Sequence, residues 1–336
     1  VLVLRLPALA ERGARGAIVA SGAAACLLAG LAIQTKYTPL VEGAFFGLAH
    51  LAYLRRAGAN WLATLAAVGL WAMLGLLPTL AAILAFARLG PVASQAFWFA
   101  NFTSVALRSG YPAAKIAARL AGTWSQLLPL LVCAGVTLRQ RRSAETMLAL
   151  GWLAAALVAY AMIGAFFDHY ALPVVAPLAT LAAPTFARHR RAMIATLAIG
   201  TAVFAAKASL RPNEGPGIRA LARVVAAHDH GRCPYVFAGD SIVYLLAHAC
   251  VPTARAFPST LAYQADRDAS GVDPLAEVRR ILANRPPVIV TLDRPLGAWN
   301  EEVRRTVAAA LARDYRLAFA APREGGHELA YVRIGD

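Results

Sequence analysis

The chain has 336 residues, 59% of them apolar and 15% charged, with a mean hydropathy of +0.55. That is too apolar and too poor in charge for a soluble globular protein. Four cysteines, 25 glycines and 19 prolines, scattered without a period, exclude a disulfide scaffold and a collagen-like chain. The formal net charge of +15 belongs to the apolar part: residues 1–210 carry 17 Lys and Arg against 4 Asp and Glu, whereas residues 211–336 carry 16 against 14. Basic residues in short connections between apolar runs fit the positive-inside rule and anionic headgroups, so membrane lipids are expected partners and nucleic acid is not.

A hydrocarbon core of about 30 Å takes roughly 17–25 helical residues to cross. Seven segments meet that length: 16–33, 37–54, 61–87, 122–138, 144–167, 169–187 and 192–210. The third has no charge and a central Pro78, and the last needs Lys207 to snorkel to the headgroups. Alternate connections differ in basic content. Eleven Arg fall in residues 1–15, 55–60, 139–143 and 188–191, against Lys36, Arg88, Arg108, Lys115 and Arg119 in the other set. The richer set is expected in the cytoplasm, which puts the N-terminus inside and everything after Leu210 outside.

Residues 211–336 mix charges of both signs and alternate short apolar strands with amphipathic helices. Helices are expected at 218–228, 241–249, 274–284 (capped by Asp273) and from Asn300 to about Tyr315. Strands are expected at 234–239, 288–292, 315–321 and 328–334, the last two joined through Glu324-Gly325-Gly326. The fold class is therefore a polytopic helical membrane bundle, residues 1–210, followed by a small α/β domain, residues 211–336, with a mostly parallel sheet and an antiparallel edge. Cys233 before one strand and Cys250 after the following helix end near the same edge, either as a disulfide or as two buried thiols.

Four places concentrate chemistry. Lys36, in Gln34-Thr35-Lys36-Tyr37-Thr38-Pro39 between the first two spans, suits a lipid phosphate or simple snorkelling. Glu42, a turn into the second span, is an intramembrane acid for which Lys36 is the nearest cation in sequence; His50, deeper in that span, reads as a hydrogen-bonded interior residue. The long loop 88–121 places Phe97, Trp98, Phe99 and Phe102 at an interface, followed after Pro112 by a short helix with Lys115 and Arg119 on one face. Phe167-Asp168-His169-Tyr170 crowds an acid, an imidazole and a phenol into one turn. His228-Asp229-His230 points its imidazoles apart on a helix, and no zinc spacing or serine-nucleophile motif is present, so no metal or cofactor is expected.

The segment Gly30-Leu31-Ala32-Ile33-Gln34-Thr35-Lys36 resembles the G-L-x-x-x-T-K stretch of bacterial polytopic glycosyltransferases of the family 39 type, relatives of protein O-mannosyltransferases and of the lipid A aminoarabinose transferase. His169-Tyr170-Ala171-Leu172-Pro173, continuing to Pro177, is similar to their R-Y-x-L-P segment, with His in place of Arg. The resemblance implies a C-type glycosyltransferase fold in the bacterial inner membrane, with sugar transfer from a polyprenyl-phosphate donor at the outer face. Lys36 and His169 are carried over as donor-phosphate contacts, and Tyr170, Lys115 and Arg119, read from the residues themselves, are further substrate-binding candidates. The family's catalytic Asp lies in a first outer loop that nothing here matches. The resemblance therefore implies the C-terminal portion of such an enzyme, inactive alone. A transporter, which should show repeated halves, and a scaffold with an outer docking domain are the alternatives.

Overall fold

The computed structural model describes residues 2–107, 110–210 and 213–335; Arg108, counted above among the basic residues of the second set, lies outside them. The chain divides into two compact units, Val1–Ser94 with Tyr111–Ala205, and Gln95–Gly110 with Ala206–Asp336.

The first unit is helical. Its long elements are Arg15–Ile33, Pro39–Arg56, Trp61–Arg88, Ala113–Gln140, Ala144–Met162, Leu172–Arg188 and most of Arg190–Leu210. Six helices are long and apolar enough to cross a membrane. The Pro39–Arg56 helix has the length, 18 residues, but its Glu42, Arg55 and Arg56 keep it outside that set. Asn60 and Ser143 start their helices by accepting the N–H groups of Ala63 and Thr146.

Packing in this unit is inverted relative to a water-soluble bundle. Ala25, Ala49, Ala67, Ala134, Ala149 and Ala156 are buried, while Leu62, Leu65, Leu28 and Phe204 are exposed. Small residues let helix backbones approach where lipid gives no drive to bury leucine. At Gly30 the approach is closest, since a Cβ there would collide with the backbone carbonyl of Gly75 in the Trp61–Arg88 helix.

Two boundaries in this unit differ from the sequence reading by more than a helical turn. Residues 113–140 form one 28-residue helix, so Lys115 and Arg119 stand on the first turns of a long helix and not on a separate interfacial one. Nothing between Arg119 and Gly122 breaks the helical path, and Pro129 is accommodated within it. The fifth candidate span stops at Met162 and not at 167, because Gly164 (φ 67°) and Phe166 (φ 51°) turn the chain in left-handed conformations.

The second unit carries a four-stranded sheet of order β1-β2-β4-β3: β1 (Tyr235–Val236), β2 (Val288–Leu292), β3 (Tyr315–Arg323) and β4 (Gly326–Arg333). Only β1 and β2 run parallel, and the two other pairings are antiparallel. The expected mostly parallel sheet is corrected by this hairpin, which docks through its second strand beside β2. Every residue of β2 is buried, because helices cover both faces of this central strand. Ile218, Leu221 and Val225 of the Gly215–His228 helix pack on one face, and Val278, Ile281, Val303 and Val307 of the Pro274–Ala283 and Glu301–Asp314 helices on the other. Cys233 and Cys250 are joined by a disulfide, their Cα atoms 4.9 Å apart.

Glu328, opposite Leu292 in the register, is fully buried. Its Oε1 accepts the Asp240 N–H at 3.0 Å, and its Oε2 has no partner among the described residues. Gly239 (φ 135°) makes room for it, since a Cβ there would strike that carboxylate. Burial pushes the Glu328 carboxyl up from its ordinary 4.5 to about 7.

An acid raised in the folded state stabilises while protonated, so this unit should lose stability as pH climbs from about 4.5 through 7. Hydrogen exchange of the β2 amides, corrected for intrinsic rate, should show a loss of about 2 kcal/mol between pH 5 and pH 8. Glu328→Gln keeps an oxygen for Asp240 and should flatten that dependence. The double substitution Cys233→Ala/Cys250→Ala should cost about 3 kcal/mol of this unit's stability at any pH, read from its thermal unfolding in non-reducing buffer.

Candidate functional site

Three junctions of the first unit meet at one end of its helices: residues 34–38, the start of the Ala113–Gln140 helix, and residues 163–171. Each is shaped locally. Pro39 starts one helix and Pro112 precedes another. The left-handed Gly164 and Phe166 throw the chain back so that Asp168–Ala171 forms a 3₁₀ turn leading into Leu172–Arg188.

The side chains form one continuous row. Lys36 Nζ lies 3.5 Å over the centre of the Tyr170 ring. Tyr170 meets His169 edge to face at 4.3 Å, and His169 stacks on Phe167 at 5.6 Å. The Arg119 guanidinium lies 3.8 Å from the Phe167 centroid and 4.3 Å from that of Tyr111, and Lys115 Nζ is 5.8 Å from the same Tyr111 ring. Arg119 is tied to the turn by donating to the Ala165 carbonyl at 2.6 Å. Asp168 turns back on its own helix start, accepting the His169 N–H at 2.9 Å.

All five residues singled out in sequence, Lys36, Lys115, Arg119, His169 and Tyr170, thus share one cluster. Tyr111 and Phe167 are the ring faces that sequence reasoning did not assign a role. Their signal was present, an aromatic just before the helix-starting Pro112 and another just before Asp168-His169. Among the described residues none of the three cations forms an ion pair with a carboxylate. Ring faces attract a cation without neutralising it. Burial also pulls the Lys36 ammonium below its ordinary value, so an incoming anion would relieve it.

Glu42 does not pair with Lys36. Its Oε1 accepts the indole N–H of Trp152 at 2.7 Å, six residues being a poor spacing for one helical face. His50 is fully buried, its Nδ1 2.7 Å from the Phe46 carbonyl and its Nε2 3.0 Å from the Ser21 hydroxyl. A carbonyl only accepts, so Nδ1 carries the proton, and Nε2 accepts from Ser21. Ala32, Pro39, Glu42, Phe46, His50 and Trp152 border a largely apolar groove of about 460 Å³. One end of the groove adjoins the 34–38 junction that carries Lys36. No cluster of metal-ligating residues occurs among the described residues. Comparison of the chain with protein-family models, curated proteins and solved structures finds no match.

Proposed function

We propose that the chain binds a polyprenyl-phosphate sugar and serves in glycosyl transfer at a membrane face, with the phosphate at Lys36 and the lipid chain in the groove beside it. One observation carries this reading: a half-buried ammonium, with no carboxylate partner among the described residues, stands beside a row of aromatic faces and two further cations, in the junction between Ala32 and Pro39, which line an apolar groove. A membrane-borne phosphate offers the charge, and an isoprenoid tail offers the apolar length. Arg119 and Lys115 widen the electrostatic field, and His169 and Tyr170 present polar edges for orienting a sugar. The resemblance of the Gly30–Lys36 and His169–Pro173 segments to family 39 glycosyltransferases points the same way.

The fuller topology belongs to the same proposal. The Pro39–Arg56 helix, at 18 residues, would span about 27 Å and counts as a seventh crossing. Its two ends support this. Lys36 and the aromatic row lie before it, while Arg15 donates to the Ala57 carbonyl at 2.9 Å just beyond its other end. With the basic connections inside, the bacterial inner membrane would carry the second unit on its outer side. The Cys233–Cys250 bridge fits an oxidising compartment there.

Alkaline phosphatase fused after Asp336 should be active in a bacterial host, and fused after Arg191 inactive; the reverse pattern would overturn the seven-span orientation. Binding is the direct test of the site. A charge-assisted phosphate contact contributes about 1.5–3 kcal/mol, so Lys36→Ala should weaken polyprenyl-phosphate binding to the detergent-purified protein at least tenfold. Binding of the uncharged polyprenol should be unaffected. Equal loss for both lipids, or none for either, would return Lys36 to the role of a headgroup anchor.

A further inference from the structure

The second unit holds a cationic cavity that the proposed lipid site does not use. It has a volume of about 960 Å³ and lies where the Pro274–Ala283 and Glu301–Asp314 helices end. Five arginines line it: Arg279, Arg285, Arg305, Arg313 and Arg333. Among the described residues that line it, Asp314 is the one carboxylate, and Arg313 already holds it at 2.8 Å. The cavity sits at the edge of the sheet where Tyr315 pairs with Arg333, at the other end of β2 from Glu328.

Arginines near helix ends have a plain structural use, because the C-terminal carbonyls of each helix carry about half a negative charge. Magnitudes show that this use does not consume them. Two helix ends and Asp314 together supply roughly two negative charges, fewer than the four guanidiniums that remain when Arg333, which has a partner of its own, is set aside. Arg305 stands in the middle of its helix, and Arg279 precedes the last turn of its own. Among the described residues Arg279, Arg285 and Arg305 form no ion pair. This concentration occurs in a stretch, residues 211–336, whose basic and acidic residues otherwise nearly balance.

Arg285 adds an independent sign. It follows the Pro274–Ala283 helix with φ 49°, the left-handed conformation at which glycine is the unstrained choice. An arginine held there keeps its guanidinium at the cavity at the expense of backbone comfort, and such strain gathers at ligand sites.

We infer that this cavity binds a ligand carrying two or more linked phosphate groups. Guanidinium forks donate paired N–H groups to phosphate oxygens. Three arginines without carboxylate partners among the described residues, one on the Pro274–Ala283 helix, one just past its end and one on the Glu301–Asp314 helix, carry more positive charge than the roughly two negative charges of one phosphate group neutralise. The same chemistry is offered by a soluble diphosphate and by a lipid diphosphate headgroup.

The test uses the whole chain in non-ionic detergent, with inorganic pyrophosphate as the probe and calorimetry as the readout. Wild type should bind, and binding should weaken steeply between about 0.05 and 0.5 M salt. Arg279→Gln/Arg285→Gly/Arg305→Gln should bind at least tenfold more weakly. Arg285→Gly alone should keep or raise the thermal midpoint while weakening pyrophosphate severalfold, which separates a ligand role from a merely structural one. Displacement of pyrophosphate by a short-chain diacylglycerol pyrophosphate would identify a lipid headgroup as the ligand; binding without displacement would identify a soluble one. Absence of pyrophosphate binding by wild type, or equal binding by the triple variant, overturns the inference.

Discussion

A hydrocarbon environment gives charge and bare backbone no partner, and the first unit is organised around that constraint. Every described lysine, arginine, aspartate and glutamate of its helices stands in a connection or within about two turns of a helix end. Between those ends the helices turn many of their leucines outward and meet each other largely through alanine and glycine, with Ile18, Leu54, Val174, Leu178 and Leu181 among the larger buried side chains. His50, buried inside its helix, is answered on both ring nitrogens by neighbouring oxygens. Expelling charge from the helix middles has a consequence at the ends. Cations from three connections that are remote in sequence are forced into one narrow zone.

What becomes of those cations depends on their neighbours. At the Lys36 end they lie on aromatic faces, which hold position without cancelling charge. At the opposite end Arg15, Arg55 and Arg188 donate to oxygens of Ala57, Ala59 and Gln140, and Arg55 and Arg56 also lie over the Trp61 and Tyr53 rings.

The second unit obeys different rules, since its core is built from a sheet covered on both faces by amphipathic helices. Its irregularities lie at the two ends of the sheet. At one, Gly239 admits the buried Glu328 carboxylate beside the backbone. At the other, arginines outnumber carboxylates around an open cavity. Neither feature improves packing, and a hydrophobic residue at 328 would avoid a costly buried acid. Both retain polar chemistry at the rims of an otherwise apolar core.

Sequence alone determined the division into an apolar helical part and a mixed C-terminal part, because composition and charge balance change abruptly near residue 210. It also determined most helix starts, since Asn60, Ser143, Pro39 and Asp273 act locally. The individual site residues were legible as well, because polar groups stand out against apolar runs. Their assembly was not. Lys36 over Tyr170 and Arg119 over Phe167 join residues far apart in the chain, and no spacing rule predicts which ring a cation will find. The partner of Glu42 was likewise decided by the packing of Trp152 from another helix and not by the nearby Lys36. Strand direction escaped for the same reason: hairpin chemistry joins β3 to β4, but only docking against β2 decides which of the two enters the middle of the sheet. The arginine cavity was invisible in a stretch of nearly balanced charge, because net charge sums over sequence, whereas a ligand meets only the charges that the fold brings to one place.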